Sequence, residues 1–343
     1  MAKRKYSARS KKQRNMQPAA MTLNFPGINT APNSASVNYI DLSQVASLVN
    51  RRFYRQGINW AVGGFKILSD GKPVALVISK LPNTWVMSNA WEKSMRTWTK
   101  MNREALAEAE SVRPRFLDFK VYMDSTHHQL GFAGNLLPAS AGATPATAGE
   151  WESSKFLIPD STSPAGAVYS REVIATGANY PGPGASGLNA ISMIEGYAAS
   201  RALPNVLDPN TPDDAGSADG AVPQNWMSAL FNDGTSQTEE VLEDMIAENN
   251  LAPYPFENDG IHTDTMYPGG ANQLTGLQLH DIEYVTGTTI GGTTRMKGGN
   301  FPCGLIQFVV SNSSLENSSQ LTLLVDLVPG HHRGYLCEPM TEM

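Results

Sequence analysis

The chain is 343 residues long, and its 41% hydrophobic content is enough for one large core or two modest ones. Charged residues make up only 17%, while glycine (30) and proline (22) are plentiful, which disfavours coiled coils and charge-laced helical bundles and favours a β-rich domain with long turns. The formal net charge of −6 hides a strong polarity along the chain, and nowhere do about 18 apolar residues run together as a membrane-crossing helix requires.

Residues 1–14, MAKRKYSARSKKQR, carry seven cations (Lys3, Arg4, Lys5, Arg9, Lys11, Lys12 and Arg14) and no acid. No apolar stretch follows them, so they do not read as a secretory signal. The sizeable apolar groups here are Met1, Tyr6 and Met16, too few to offset roughly 1–2 kcal/mol of backbone entropy per ordered residue. The expectation is a disordered arm that neutralises nucleic-acid phosphates. If all seven cations contact a single strand, the log–log salt slope of binding is roughly −5. With Tyr6 as its one aromatic, the arm has no means of reading sequence. The clusters Lys3–Lys5 and Lys11–Arg14 also suit nuclear import, and a solubilising tail is the plain alternative. Beyond the arm, residues 51–120 hold 13 bases against 6 acids, and residues 121–343 hold 6 bases against 25 acids. A basic head on an acidic body points to a polyanionic partner at one end.

A polar, proline- and asparagine-containing linker is expected over 17–35, placing a first boundary near residue 35 and one large domain over 36–343. Val37–Leu42 alternates like a strand, and 43–55 is ambiguous between helix and strand. Residues 58–68 and 73–79 read as two strands joined by Asp70-Gly71, a two-residue hairpin signal. The best helix is 88–110, with Ser88 as N-cap, Trp91, Met95 and Trp98 on a core-facing stripe and Glu92 opposite Arg96. Residues 115–123 alternate strictly, with Leu117, Phe119, Val121 and Met123 on one face, which predicts a half-buried strand. An exposed loop is expected over 138–149, strands over 153–158 and 167–175, and short helices over 188–201 and 236–249. Strands are expected again over 276–285, 303–311 and 319–328. The last two are nearly all apolar and must be buried on both sides or packed centrally. Dispersed strands without regular βαβ alternation predict a mainly β fold, a single jelly-roll antiparallel sandwich with long loops and helices inserted at about 88–110 and 180–275.

Candidate chemistry is sparse. Gly182-Pro183-Gly184-Ala185-Ser186-Gly187 matches the dinucleotide pattern, but no strand feeds straight into it and Pro183 stiffens it, so a flexible loop is the better reading. Asp208, Asn210, Asp213, Asp214 and Asp219 lack the turn glycine and closing glutamate of a calcium loop and read as a solvated acidic loop. The pairs His127-His128 and His331-His332 are adjacent, so in a strand their rings would point to opposite faces, and no metal-ligand spacing accompanies them. Gly291–Gly299 lacks the ending of a phosphate-binding loop and reads as a mobile surface loop. Cys303 reads as a buried thiol, and with only Cys337 besides it no disulfide framework is expected. No enzyme, cofactor or metal is expected.

The arm MAKRKYSARSKKQR, the segment INWAVGGFKILSDGKPVALVIS and the tail FPCGLIQFVVSNSS…LTLLVDLVPGHHRGYL together resemble the capsid proteins of small circular single-stranded DNA viruses that encode their own replication initiator, most of all the stool-associated smacovirus- or pecovirus-like group. The resemblance is one of organisation over most of the chain. It implies a jelly roll that assembles with itself into a closed icosahedral shell of about sixty copies around circular single-stranded DNA. It also implies residence in the virion and, through contact of the arm with host import machinery, in the host nucleus during assembly. The arm is shorter than a long arginine tract and is mixed with Ser, Tyr and Gln. The alternatives are a coat protein of a small RNA virus, or a non-viral nucleic-acid-binding or lectin-like β-sandwich.

Overall fold

The computed structural model describes residues 18–107, 117–139, 144–160, 167–179, 182–201, 276–286 and 292–342, together with Ser111 and Met227. In chain order the elements are β1 (Thr22–Thr30), β2 (Ser34–Asp41), α1 (Leu42–Asn50), β3 (Ile58–Ser69), β4 (Val74–Lys80), α2 (Trp85–Ala105) and α3 (Ser125–Leu130). They continue with β5 (Lys155–Asp160), β6 (Ala167–Ile174), β7 (Ala190–Ser192), α4 (Met193–Arg201), β8 (Gln278–Val285), β9 (Thr293–Phe301), β10 (Leu305–Asn312), β11 (Ser319–Leu327), β12 (Pro329–Gly330), β13 (Gly334–Tyr335) and β14 (Cys337–Pro339). The molecule is mainly β, built from antiparallel sheets that curl as a β-sandwich does.

One sheet runs β1-β11-β3, with β9 along Trp60–Leu68 of β3 and β14 along Ile58–Trp60. The other runs β2-β10-β4-β8. Both are antiparallel throughout, so side chains alternate between faces with a period of two. Leu23, Phe25, Trp60, Phe65, Leu321, Leu323 and Val325 of the first sheet meet Ile40, Leu76, Ile78, Ile306, Phe308 and Val310 of the second in one buried cluster. The opposite face of the second sheet is covered too. Leu305 and Tyr39 pack with Trp91 and Trp98 of α2 and with Phe119, Phe156 and Val173 of the insertion between β4 and β8. Strand β10 is therefore buried on both faces, and β11 lies between β1 and β3, as their apolar content demands. The insertion carries its own small sheet, β5-β6-β7, in which β6 and β7 are parallel.

Several expectations are corrected. The linker over 17–35 contains β1, so the sandwich begins well before residue 36. Leu23 and Phe25 face the core, a bulge at Pro26-Gly27 shifts the register, and Ile28 faces the core again; the bulge hides the alternation. Asp70-Gly71 does not close a hairpin, because β3 and β4 lie in different sheets. Pro73, two residues past the turn, has no N–H to give a ladder, and both strands gain more by burying their apolar faces against each other across the core. The best helix starts earlier: Thr84 caps α2, and the Ser88 hydroxyl instead donates to the Met340 carbonyl inside the core. The Glu92–Arg96 pair is present.

Of the strand expected over 115–123, Leu117–Val121 is extended but unladdered, and Tyr122 makes one isolated bridge to Ile174. Side chains supply the missing partners. The Gln56 amide donates to the Val121 carbonyl at 3.0 Å and accepts from its N–H at 2.7 Å, while Ser154 Oγ accepts from Lys120 N at 2.9 Å. Both faces of this segment are covered, since the Asp118 side chain is 3% exposed. The helix expected over 188–201 is preceded by β7 and begins only at Met193. Gly291–Gly299 is not a loop along its length, because β9 starts at Thr293. A Cβ at Gly298 would lie 2.3 Å from the Val62 carbonyl oxygen, so glycine here serves close backbone approach. Residues 43–55 resolve into α1, capped by Asp41, and a following loop. The acidic stretch 208–219 and the helix expected over 236–249 lie outside the described residues.

Candidate nucleic-acid interface

Helix α1 ends at Asn50, and Arg51 takes a left-handed conformation (φ 54°, ψ 37°) that turns the chain into Arg51-Arg52-Phe53-Tyr54-Arg55. The start of the described chain is fastened to this corner. Asn50 Oδ1 accepts from Ala20 N at 3.0 Å, Tyr335 donates its hydroxyl to the Ala20 carbonyl at 2.7 Å, and Arg52 Nη1 donates to the Pro18 carbonyl at 3.1 Å. The seven arm cations Lys3, Arg4, Lys5, Arg9, Lys11, Lys12 and Arg14 lie outside the described residues. Covalent continuity makes Pro18 the point from which they are tethered, and Pro18 sits against Arg52.

A second loop, His331-His332-Arg333 between β12 and β13, meets the first. Arg333 also has positive φ (54°), donates through Nη1 to the Phe53 carbonyl, and accepts the Tyr54 hydroxyl on its own carbonyl at 3.1 Å. Its guanidinium stands 6.0 Å from the Tyr54 ring centre, and that of Arg55 stands 5.9 Å from Phe53. Lys120 lies 4.6 Å from the Trp151 ring and 5.9 Å from Phe53. Arg51, Arg55, His331 and Arg333 are exposed. Among the described residues, none of Arg51, Arg55 and Arg333 has a carboxylate within 4 Å. The Tyr54 ring is fully buried, while Phe53 and Trp151 are half-buried beside these cations, an arrangement of positive charge and ring edges of the kind that single strands use.

Trp151 Nε1 donates to Asp41 at 2.9 Å, the exposed Glu150 and Glu152 flank Trp151, and Asp118 lies 3.5 Å from Lys120. Burial pushes the Asp118 pKa up to about 6, against the downward pull of Lys120 and Arg55. Burial also raises the Tyr54 hydroxyl, opposed by Arg52 and Arg333, and lowers the His332 imidazole, an effect Arg333 reinforces. The corner as a whole keeps a positive excess.

Of these body residues the sequence drew attention only to His331-His332, as adjacent histidines without metal-ligand spacing. The signal was present in Arg51-Arg52-Phe53-Tyr54-Arg55, three cations interleaved with two aromatics, but its union with Arg333 depends on the fold. The other candidates resolve as structure. His127 and His128 both sit on α3, fully buried. His127 Nδ1 accepts from Met123 N, leaving Nε2 to donate to Asn135 Oδ1 at 2.8 Å, and burial pushes its pKa down to about 3. His128 Nε2 lies 2.8 Å from Glu172 Oε2. The loop Gly182–Gly187 is a packed turn over this pair: a Cβ at Gly184 would fall 2.5 Å from His128 Nε2. Cys303 is fully buried, and burial raises its thiol pKa well above the usual range. Among the described residues, no group of three or more His, Cys, Asp or Glu side chains could hold a metal ion, and no helix is long and apolar enough to cross a membrane.

Compared with models of known protein families, with curated proteins and with solved structures, the chain matches none.

Proposed function

We propose that this chain is the coat protein of a small circular single-stranded DNA virus, a single jelly roll that assembles into an icosahedral shell of about sixty copies and packages its genome through the basic arm. The observation that carries the reading is the pairing scheme of the sandwich. Ordered along the chain, β1–β4 and β8–β11 pair first with last: β1 with β11, β2 with β10, β3 with β9 and β4 with β8. Lateral pairing of β11 with β3 and of β10 with β4 then divides them into two sheets. A long antiparallel ribbon rolled on itself produces this order, and eight-stranded double sheets of this kind serve in capsid and lectin domains. The anchoring of Pro18, from which the seven-cation arm continues, beside Arg52 favours the capsid role over the lectin role, because it joins a basic segment to a basic corner of an acidic protein. Under this reading the protein acts by non-covalent assembly, resides in the virion, and uses the arm for entry to the host nucleus.

Electron microscopy and light scattering of the expressed full chain test it, with nuclease treatment of the extracted cargo. Closed particles containing DNA are the expected result. Particles containing only RNA would point to an RNA-virus coat, and a monomer that ignores both polymers at low salt overturns the reading. Deleting residues 1–14 leaves melting unchanged and yields empty or RNA-contaminated shells; normal genome content in such shells overturns the role of the arm.

A further inference from the structure

Beneath the arginine corner lies a cavity of about 270 Å³. Its walls include Phe53 and the largely buried Trp91, Trp98 and Phe119, and the exposed Arg55 and Arg333 also line it. Drug-sized ligands occupy pockets of about 300–1,000 Å³, so this one suits a single ring system. The indoles are set around Phe119, with ring centres 6.1 Å away for Trp91 and 5.7 Å for Trp98. Gly57 makes room for them, since a Cβ there would lie 2.1 Å from the Trp91 ring.

The Trp91 Nε1 donor is enclosed, with no hydrogen-bond partner among the described residues. Asp118 Oδ2 is held by Lys120 at 3.5 Å. The aromatic rings among the lining residues call for a flat ligand. Guanidinium groups beside it call for an anion on that ligand.

We propose that this cavity takes one nucleobase of a single strand, whose flanking phosphates rest on Arg55 and Arg333. The proposal rests on reading the arginine corner as a nucleic-acid interface and adds base insertion to it. Base stacking on aromatic rings is tolerant of sequence, so the site grips a strand at any base.

The test uses the full-length protein with decathymidylate, decauridylate and a ten-residue abasic oligomer of equal charge. Both base-bearing oligomers are expected to quench tryptophan emission and to bind about tenfold more tightly than the abasic one, with equal salt slopes. Thr99→Phe, which fills the cavity from α2, is expected to abolish the quenching and lower affinity to the abasic level without altering the salt slope. The abasic comparison needs no variant and stands even if Thr99→Phe fails to fold. Equal affinity for abasic and base-bearing oligomers without quenching overturns base insertion and leaves the interface intact. Failure of all three oligomers to bind at low salt overturns the interface itself.

Discussion

The two faces of the β2-β10-β4-β8 sheet are packed differently: one meets an apolar sheet, and the other adds a buried polar seam to its apolar contacts. On one, Ile40, Ile306, Phe308 and Val310 meet the apolar residues of the first sheet. On the other, one position along the same strands, Gln307 Nε2 donates to the Tyr39 hydroxyl at 2.8 Å and to Asp124 Oδ2 at 3.3 Å, and Tyr39 donates to Asp124 Oδ1 at 2.8 Å. Asp124 also accepts from His127 N, and the His127 ring stacks on Tyr39 with centres 4.4 Å apart. Asp41 continues the polar seam: it accepts from Ser43 N, Gln44 N, Gln56 Nε2 and Trp151 Nε1. Buried area is non-directional, so the first face tolerates any well-fitting apolar set. Buried hydrogen bonds demand one partner geometry, so the second face selects one docking of the inserted lobe. The comparison also separates a face indifferent to pH from one that responds to it.

The largest effect belongs to the apolar face. Phe308→Ala removes a fully buried ring from the sandwich and is expected to cost about 3–5 kcal/mol, equally at pH 5 and pH 7, in denaturant unfolding. A loss that varied strongly with pH would show that the two faces are not separate. On the polar face, His127 has a folded pKa of about 3, below the ordinary value of 6.5. Its contribution is intact above pH 6.5 and is lost as pH falls toward 3, because only the unfolded chain takes up the proton there. From pH 6.5 to 5 this amounts to about 2 kcal/mol. Asp41 and Asp118, both raised to about 6 by burial, act with the opposite sign, gaining stability as pH falls through 6. The His127 effect is therefore read as a difference: His127→Phe, which keeps a stacked ring, is less stable at pH 7 but loses less than the parent on acidification. Parallel pH curves for the two proteins would refute it.

How much of this was legible follows the same division. Strands β2, β6, β8, β10 and β11 could be read because one strand's alternation is a local signal, and the apolar tail correctly announced central strands. β1 was hidden by its bulge and β9 by glycines that serve close pairing; the Asp70-Gly71 turn is local, while the choice of sheet is not. The polar seam joins residues 39, 124, 127, 135 and 307, and its members are ordinary polar residues until the fold unites them. The arm's cations were plain from composition, whereas the corner that receives the arm draws Arg51–Arg55 from one loop and Arg333 from another 278 residues on.

A finer probe of the seam is Tyr39→Phe. The ring still packs, but Asp124 loses a donor and Gln307 an acceptor, which is expected to cost about 1–3 kcal/mol. If the seam docks the inserted lobe, hydrogen exchange should rise in α3 and in the small sheet before it rises in β3 or β11. Uniform loss of protection would mean that lobe and sandwich unfold as one.

The smallest expected effect on folding lies at β8, which among the described residues pairs with β4 alone and so ends the same sheet. Beyond Val285, which faces the core, Ile282 is 42% and Tyr284 is 70% exposed. Tyr284→Lys leaves the sandwich core untouched and should change stability by less than about 0.5 kcal/mol. An exposed apolar edge is a place for another chain to sit, and a charge on an edge is a common means of keeping chains apart. Under the coat-protein reading, light scattering should show Tyr284→Lys as a folded protein whose particles are lost or weakened. Unchanged particles would move the contact between copies away from this edge while leaving both faces of the sheet as described.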